Sequence, residues 1–125
     1  MRIVAGLLII MLPCLSGCGS KPPVTAHGQP VSYWTEKIED PEAKIRLQAV
    51  KALGNVGAKD PVVVPTLTVG VKDADSEVRT AAILALLRMG PAAKDAIPAL
   101  LEARQDSNAK VRESAEKALA KIQGS

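Results

Sequence analysis

The sequence repeats one pattern three times at a fixed step of 33 residues. Residues 40–53, 73–86 and 106–119 each read D-x-x-x-x-(I/V)-R-x-x-A-x-x-A-L. The apolar positions of the pattern fall on one face of a helix. A repeat of this length is typical of an array in which each unit buries its apolar face against its neighbours. The surface of such an array suits binding better than catalysis.

From Val31 onward the apolar periodicity predicts pairs of helices with short breaks between them. Gly57 and Gly90 follow the second helix of a pair, where glycine commonly adopts a left-handed conformation. Pro65 and Pro98 are expected in opening turns, because proline has no N–H to donate further along a helix. The predicted helices lie near residues 32–39, 42–55, 61–71, 75–89, 93–104 and 108–122.

The repeated D-x-x-x-x-(I/V)-R core and the alanines and leucine after it resemble the HEAT-repeat family over residues 31–122. The resemblance is to its short α-helical form, also found in phycobilisome lyases. The T-P-L-H signature of ankyrin repeats is absent, as is the tetratricopeptide pattern. The resemblance implies an all-α fold: a right-handed α-α superhelix, or solenoid, of three HEAT-like helix pairs. We expect a domain at 31–125 with repeats at about 31–57, 58–90 and 91–123.

The invariant charged residues of the repeat are predicted to form a structural ladder. Its aspartates can accept backbone N–H bonds at the turn between two helices, and its arginines can reach a carboxylate or carbonyl of a neighbouring unit. A ladder explains the strict periodicity better than a ligand site does. The predicted ladder consists of Asp40, Asp73, Asp106, Arg46, Arg79 and Arg112.

The amino-terminal segment has the pattern of an export signal. Arg2 supplies the positive charge, and residues 3–12 form an unbroken small or apolar run. The run is too short for a membrane-spanning helix, which needs ~20 apolar residues. Export is therefore the better interpretation.

Residues 15–18, LSGC, resemble the lipobox of bacterial lipoproteins. The resemblance implies a lipoprotein signal peptide over 1–17 and lipidation, with palmitate among the acyl chains, at Cys18. Several acyl chains on one cysteine anchor a protein firmly. Ordinary signal peptidase cleavage after Gly17 or Gly19 is the alternative.

Residues 18–30 are predicted to be the lipidated cysteine and a flexible tether, because proline, glycine and polar residues replace any apolar periodicity. His27 within it is expected to be a solvated linker histidine without partners. We expect the protein in the bacterial cell envelope, lipid-anchored to an extracytoplasmic membrane face. If two membranes are present the outer one is favoured, because residues 19–20 lack the aspartate that holds many lipoproteins at the inner membrane.

Catalysis is not expected, because a nucleophile needs a base and the repeat region contains neither histidine nor cysteine. Asp73 with Asp75, or Glu113 with Glu116, are possible carboxylate pairs, but acids near helix starts are ordinary caps. No cofactor, metal or small-molecule substrate is expected. A formal charge of +3 with interspersed signs and few aromatic residues also argues against a nucleic-acid partner.

A protein partner is the remaining expectation, on the concave face of the solenoid, which the resemblance implies is lined by the second helices. Leu84 and Leu87, flanked by Leu47, would form an exposed apolar patch there. The charged residues expected around it are Lys51, Arg88 and Lys117. The alternative is that superhelical curvature packs these leucines on adjacent units. We expect a membrane-anchored scaffold, with a non-catalytic accessory or chaperone-like factor, related to phycobilisome-lyase-type proteins, as the alternative. The predicted protein-binding residues are Leu47, Lys51, Thr80, Leu84, Leu87 and Lys117.

Overall fold

The computed structural model describes residues 24–124, in which three helix pairs follow one another along the chain. Short 3₁₀ helices, Gly57–Lys59 and Gly90–Ala96, connect one pair to the next. The predicted all-α solenoid of three HEAT-like helix pairs is confirmed. The α-helices of the described part are α1 (Val31–Lys37), α2 (Ala43–Val56), α3 (Val63–Gly70), α4 (Ser76–Met89), α5 (Ile97–Ala103) and α6 (Ala109–Gln123).

The helices form two layers, with α2, α4 and α6 side by side in one and α1, α3 and α5 packed on them in the other. The repeated alanines lie between the helices and let the backbones approach closely, while the repeated leucines fill the core. Each unit therefore buries its apolar stripe mainly against its neighbours. The buried repeat positions are Ala49, Ala82, Ala115, Ala52, Ala85, Ala118, Leu53, Leu86 and Leu119.

The predicted breaks between pairs take the expected conformation at their glycines. Gly57 has a φ of 69° and Gly90 a φ of 60°, in the left-handed region that favours glycine. Helix α5 begins later than the predicted 93–104, since Gly90–Ala96 is 3₁₀ and Ala93 is not helical. An α-helix through residue 94 would need an N–H on Pro98, which proline lacks.

Residues 24–30, the described part of the predicted tether over 18–30, are folded against α1; residues 18–23 lie outside the described residues. Thr25–Ala26 and Gln29–Pro30 pair as a small antiparallel hairpin. Ala26 is only 6% exposed and belongs to the core, and its carbonyl accepts a 2.9 Å hydrogen bond from Trp34 Nε1. A buried apolar residue and a satisfied indole N–H thus order this segment against the first helix pair.

His27 is also not the isolated linker histidine that the sequence predicts. It lies in the hairpin turn with a φ of 51°. Its ring stands edge-on to Trp34, 6.2 Å between centroids, and its Nε2 is 3.3 Å from Asn55 Nδ2. The histidine is exposed, yet it belongs to the folded domain.

The predicted signal peptide over 1–17 and lipidation site Cys18 lie outside the described residues. Among residues 24–124, none of the helices combines the length and apolar character needed to cross a bilayer.

Candidate partner-binding face

The repeated aspartates organise the turn edge, by which we mean the loops joining α1 to α2, α3 to α4 and α5 to α6. In each loop the carboxylate accepts the backbone N–H two residues later: Glu42 N to Asp40 Oδ1 at 2.9 Å, and the equivalent bonds of Asp73 and Asp106 at 2.8 Å. These bonds fix each turn before its second helix begins. The aspartates are thus part of the loop structure.

The repeated arginines clamp the same loops. Arg46 Nη1 donates to the carbonyls of Asp40 and Pro41 at 2.8 and 3.0 Å, and Arg79 and Arg112 make the equivalent bonds. Buried or half-buried carbonyls in loops need such donors. Each arginine therefore closes the turn of its own unit.

Two of the arginines also reach the next unit. Arg46 binds Asp73 through Nε and Nη2 at 2.8 and 3.0 Å, a bidentate pair whose side chains are only 16% and 8% exposed. This hydrogen-bonded pairing raises the pKa of Arg46 above its ordinary value, although burial opposes it. A planar guanidinium matched to a carboxylate gives a directional, strong contact. It joins the first unit to the second.

The second rung of the ladder has the same partners in a looser geometry. Arg79 Nη2 donates to Asp106 Oδ1 at 3.0 Å, while Arg79 Nε lies 2.9 Å from Oδ2 without the alignment of a hydrogen bond. Burial raises the pKa of Asp106, but the Asn108 N–H and Arg79 outweigh it and hold the pKa below its ordinary value. The Arg79–Asp106 pair therefore keeps the electrostatic attraction of the Arg46–Asp73 pair but has one hydrogen bond fewer.

The ladder has a different partner set at each end. Among residues 24–124, the side-chain hydrogen bonds of Arg112 go to the carbonyls of its own turn, and Asp40 has Lys37 Nζ at 3.8 Å in place of an arginine. A depression of about 360 Å³ between the second and third loops is lined by Asp73, Arg79 and Asp106, whose polar atoms bind one another. The polar side chains of the turn edge are therefore occupied by bonds within the fold.

The second-helix face, defined as the solvent side of α2, α4 and α6, is less uniform. Exposed residues recur there at helical spacing, so each helix presents one row of side chains. Equivalent positions in the three units carry different residues, in contrast to the turn edge. The row of α2 is Lys44, Gln48, Lys51 and Asn55; that of α4 is Glu77, Ala81, Leu84 and Arg88; that of α6 includes Lys110 and Lys117.

The three predicted leucines of this face differ in exposure. Leu84 is 42% exposed, whereas Leu47 and Leu87 are half-buried and pack against the core. The proposed alternative, packing on adjacent units, therefore holds in part for Leu47 and Leu87 but not for Leu84. A depression of about 400 Å³ runs beside Leu84, between Lys51 and Arg88.

Thr80 is a correction to the predicted binding set. It is 6% exposed, and its hydroxyl donates a 2.9 Å hydrogen bond to the Ser76 carbonyl. Helix α4 is flanked by α2 and α6, so a wider arc of its surface is buried than in an end helix. Ala81, the next residue, lies in the row that faces solvent. It lines the depression of about 400 Å³ beside Leu84 and an adjacent depression that Glu77 and Lys110 also line.

Lys51 and Lys117 lie at the same position of the first and third units and are both exposed. Lys117 Nζ is 2.7 Å from Glu113 Oε1, and this bond lowers the pKa of the Glu113 carboxyl. Lys51 forms no ion pair with any residue from 24 to 124. The two flanking lysines thus differ in how freely they can meet a partner's charge.

Ala81 lines the depression beside Leu84 but was not among the predicted binding residues, whereas Arg88 was expected at the rim of the patch. The signal was available for Ala81, because it precedes Leu84 by three residues and so shares its helical row. A second depression, beside the hairpin, is lined by His27, Trp34, Gln48 and Lys51. This depression could not be predicted from the sequence, because the hairpin that forms one side of it was not predicted.

Three of the carboxylates considered for catalysis, Asp73, Asp75 and Glu113, have structural partners. Asp75 caps α4 by accepting the N–H groups of Glu77 and Val78 at 2.8 and 3.2 Å. Residues 24–124 contain no cluster of histidine, cysteine and carboxylate side chains suited to a metal ion.

A layered array of helix pairs, bonded along one edge and open on its second helices, defines a helical-repeat protein. A family model for HEAT repeats matches residues 31–120, and the chain belongs to that family. A comparison with curated proteins finds no match. HEAT repeats commonly mediate protein interactions and typically act as non-catalytic scaffolds.

Proposed function

We propose that this protein is a membrane-anchored scaffold that binds a partner protein on its second-helix face. This face is the concave side that a HEAT-like superhelix implies. The proposal includes no catalytic step, cofactor or nucleic acid. The family supports an interaction role, and the exposed residues of α4 support this face as the place of binding.

The observation that carries the proposal is the exposure of Leu84 at a position where the neighbouring units have lysine. Lys51 and Lys117 keep the equivalent surface of α2 and α6 polar. A leucine contributes nothing to solubility there, and its 42% exposure leaves a large part of the side chain accessible to a partner. An apolar side chain at the centre of a charged face is the usual composition of a protein interface, with an apolar core and a polar rim.

Anchoring through Cys18 is the second part of the proposal, and the lipobox-like LSGC segment supports it. The folded hairpin begins near Val24, so that few residues separate the lipid from the domain. Even fully extended, six residues span about 20 Å. The domain would therefore work close to the membrane, on a partner that is itself membrane-bound or at the surface.

The binding role is tested by affinity purification of the full-length protein from solubilised membranes of the producing cell. Leu84→Glu should reduce recovery of the partner at least about tenfold, since a buried charge at an interface centre costs more than 1.4 kcal/mol. Leu101→Glu is the matched control, because Leu101 is 45% exposed and lies on α5, in the other layer. Equal recovery with wild type and Leu84→Glu would remove this face from consideration.

The anchor is tested separately by mass spectrometry of the mature amino terminus. The expected product begins at an acylated Cys18. An unmodified cysteine, or cleavage after Gly19, would contradict the lipoprotein assignment and leave the binding role standing. Recovery of a partner only while it is newly synthesised would favour the accessory or chaperone-like role.

A further inference from the structure

Folding separates charges that are mixed in the sequence. The solvent row of α2 contains Lys44 and Lys51, and the helix has no acidic residue. The row of α4 ends in Arg88, and that of α6 begins with Lys110. Acidic residues on this side are few: Glu77 lines the depression near Lys110, and Glu113 is bound to Lys117. The second-helix face is therefore basic, although the chain as a whole carries only +3.

The cations that line the depression beside Leu84 have no ion-pair partner in the described part of the chain. Neither Lys51 nor Arg88 forms an ion pair within residues 24–124, and both line the depression whose floor is Ala81, Leu84 and Leu87. In contrast, the arginines of the turn edge are bonded to carboxylates or carbonyls. An apolar floor between two unpaired cations has a chemical complement: an apolar side chain flanked by carboxylates.

We propose that the occupant of this depression is an acidic, amphipathic segment of the partner protein. A large apolar side chain of the segment would cover Ala81 and Leu84, and its Asp or Glu residues would pair with Lys51 and Arg88. The inference rests on the proposed function and adds the chemistry of the ligand. Apolar anchoring supplies most of the affinity, and the charges supply orientation and faster association.

A nucleic acid fits the same surface less well. Phosphates would meet the cations, but the floor between them is aliphatic and offers neither hydrogen bonds to a base edge nor an aromatic ring for stacking. An anionic lipid surface would also meet the cations. Binding of a nucleic acid or of an anionic lipid surface is therefore measured alongside binding of the peptide.

The experiment selects ligands without assuming a partner. Random peptides of about 12 residues, three helical turns, are displayed on phage and selected against the full-length protein in non-ionic detergent micelles. Enriched sequences should combine Leu, Ile, Met or Phe with Asp or Glu at helical spacing. The best peptide is then synthesised with a fluorophore, and its dissociation constant is measured by anisotropy.

Two variants separate the apolar and charged contributions. Leu84→Glu should weaken the peptide at least about tenfold. Lys51→Gln combined with Arg88→Gln should weaken it about five- to tenfold and reduce the dependence of affinity on salt, because exposed ion pairs are screened. Lys59→Gln combined with Lys94→Gln, two exposed lysines in the 3₁₀ segments, is the matched control and should leave the affinity unchanged. Circular dichroism confirms that each variant is folded.

The outcomes distinguish the two levels of the proposal. If Leu84→Glu abolishes binding while Lys51→Gln with Arg88→Gln has no effect, or if enriched peptides show no excess of Asp and Glu, the acidic ligand is wrong and protein binding survives. If none of these variants alters binding, the face itself is wrong. The acidic-peptide assignment would be overturned if phosphatidylglycerol vesicles or single-stranded DNA bound more tightly than the peptide and lost the same affinity in the variant that combines Lys51→Gln with Arg88→Gln.

Discussion

The turn edge and the second-helix face belong to the same three units, yet they use the repeat in opposite ways. At the turn edge, aspartate and arginine recur in each unit and make the same bonds within each turn. On the second-helix face the equivalent positions are Lys51, Leu84 and Lys117. Periodic residues in this protein hold the units together, whereas departures from the period mark the surface that is available to a partner.

The largest expected effect breaks the turn edge. Asp73→Ala removes the acceptor of both the Arg46 pair and the Asp75 N–H, and leaves a partly buried guanidinium without its carboxylate. The free energy of unfolding should fall by about 2–3 kcal/mol, as for lost hydrogen bonds to charged groups. Urea denaturation followed by circular dichroism measures it. Asp95→Ala, at an exposed 3₁₀ position, is the control and should change little; equal losses would contradict a special role for the ladder.

A second, smaller effect concerns the amino-terminal hairpin. Trp34→Phe keeps most of the ring packing but removes the Nε1–H bond to the Ala26 carbonyl. The loss should be about 1 kcal/mol, the usual net value of one hydrogen bond. Hydrogen exchange should accelerate in the segment before α1 and not in α6. Unchanged exchange there would mean that the hairpin does not depend on this bond.

The ladder should also respond to acid. The pKa of Asp106 is lowered in the folded state, so its contribution to stability is complete above the unfolded value of about 3.9 and is lost as the pH falls through the folded value. Asp106→Asn should therefore be less stable than wild type near neutral pH, with the difference narrowing below about pH 4. Denaturation at a series of pH values gives both curves. A difference that stays constant with pH would exclude this titration as its cause.

The smallest effects on stability are expected on the second-helix face. Leu84→Glu and Leu101→Glu replace leucines of similar exposure, and each should change the free energy of unfolding by no more than about 0.5 kcal/mol. Lys117→Met should have no measurable effect, because its pair with Glu113 is exposed. A large loss in Leu84→Glu alone would show that Leu84 serves the fold, and would remove the contrast on which the binding role depends.

The sequence predicted the repeat domain well because its signals are local and recur. Apolar residues at helical spacing mark α2, α4 and α6, and Gly57 and Gly90 mark the breaks. The hairpin could not be predicted in this way. Its order comes from Ala26 packing in the core and from a bond to Trp34, eight residues later, neither of which leaves a periodic pattern.

The sequence predicted that Thr80 is exposed on the second-helix face, and this prediction was wrong for a geometric reason. Helical spacing alone places Thr80 outward, but α4 is buried from both sides by α2 and α6, so that the solvent row shifts to Ala81 and Leu84. The cations beside the patch were predicted from helical spacing, since Lys51 and Arg88 were expected to surround the leucines, and both line one depression.

The most direct test of the binding face is site-specific photo-crosslinking in the producing cell. Leu84 and Leu101 are replaced, one at a time, by p-benzoylphenylalanine in the full-length protein, and the membranes are irradiated and separated by mass. A discrete adduct with another protein at position 84, absent at position 101, is the result that this account predicts. Adducts of equal intensity at the two positions, or an adduct only at position 101, would contradict it.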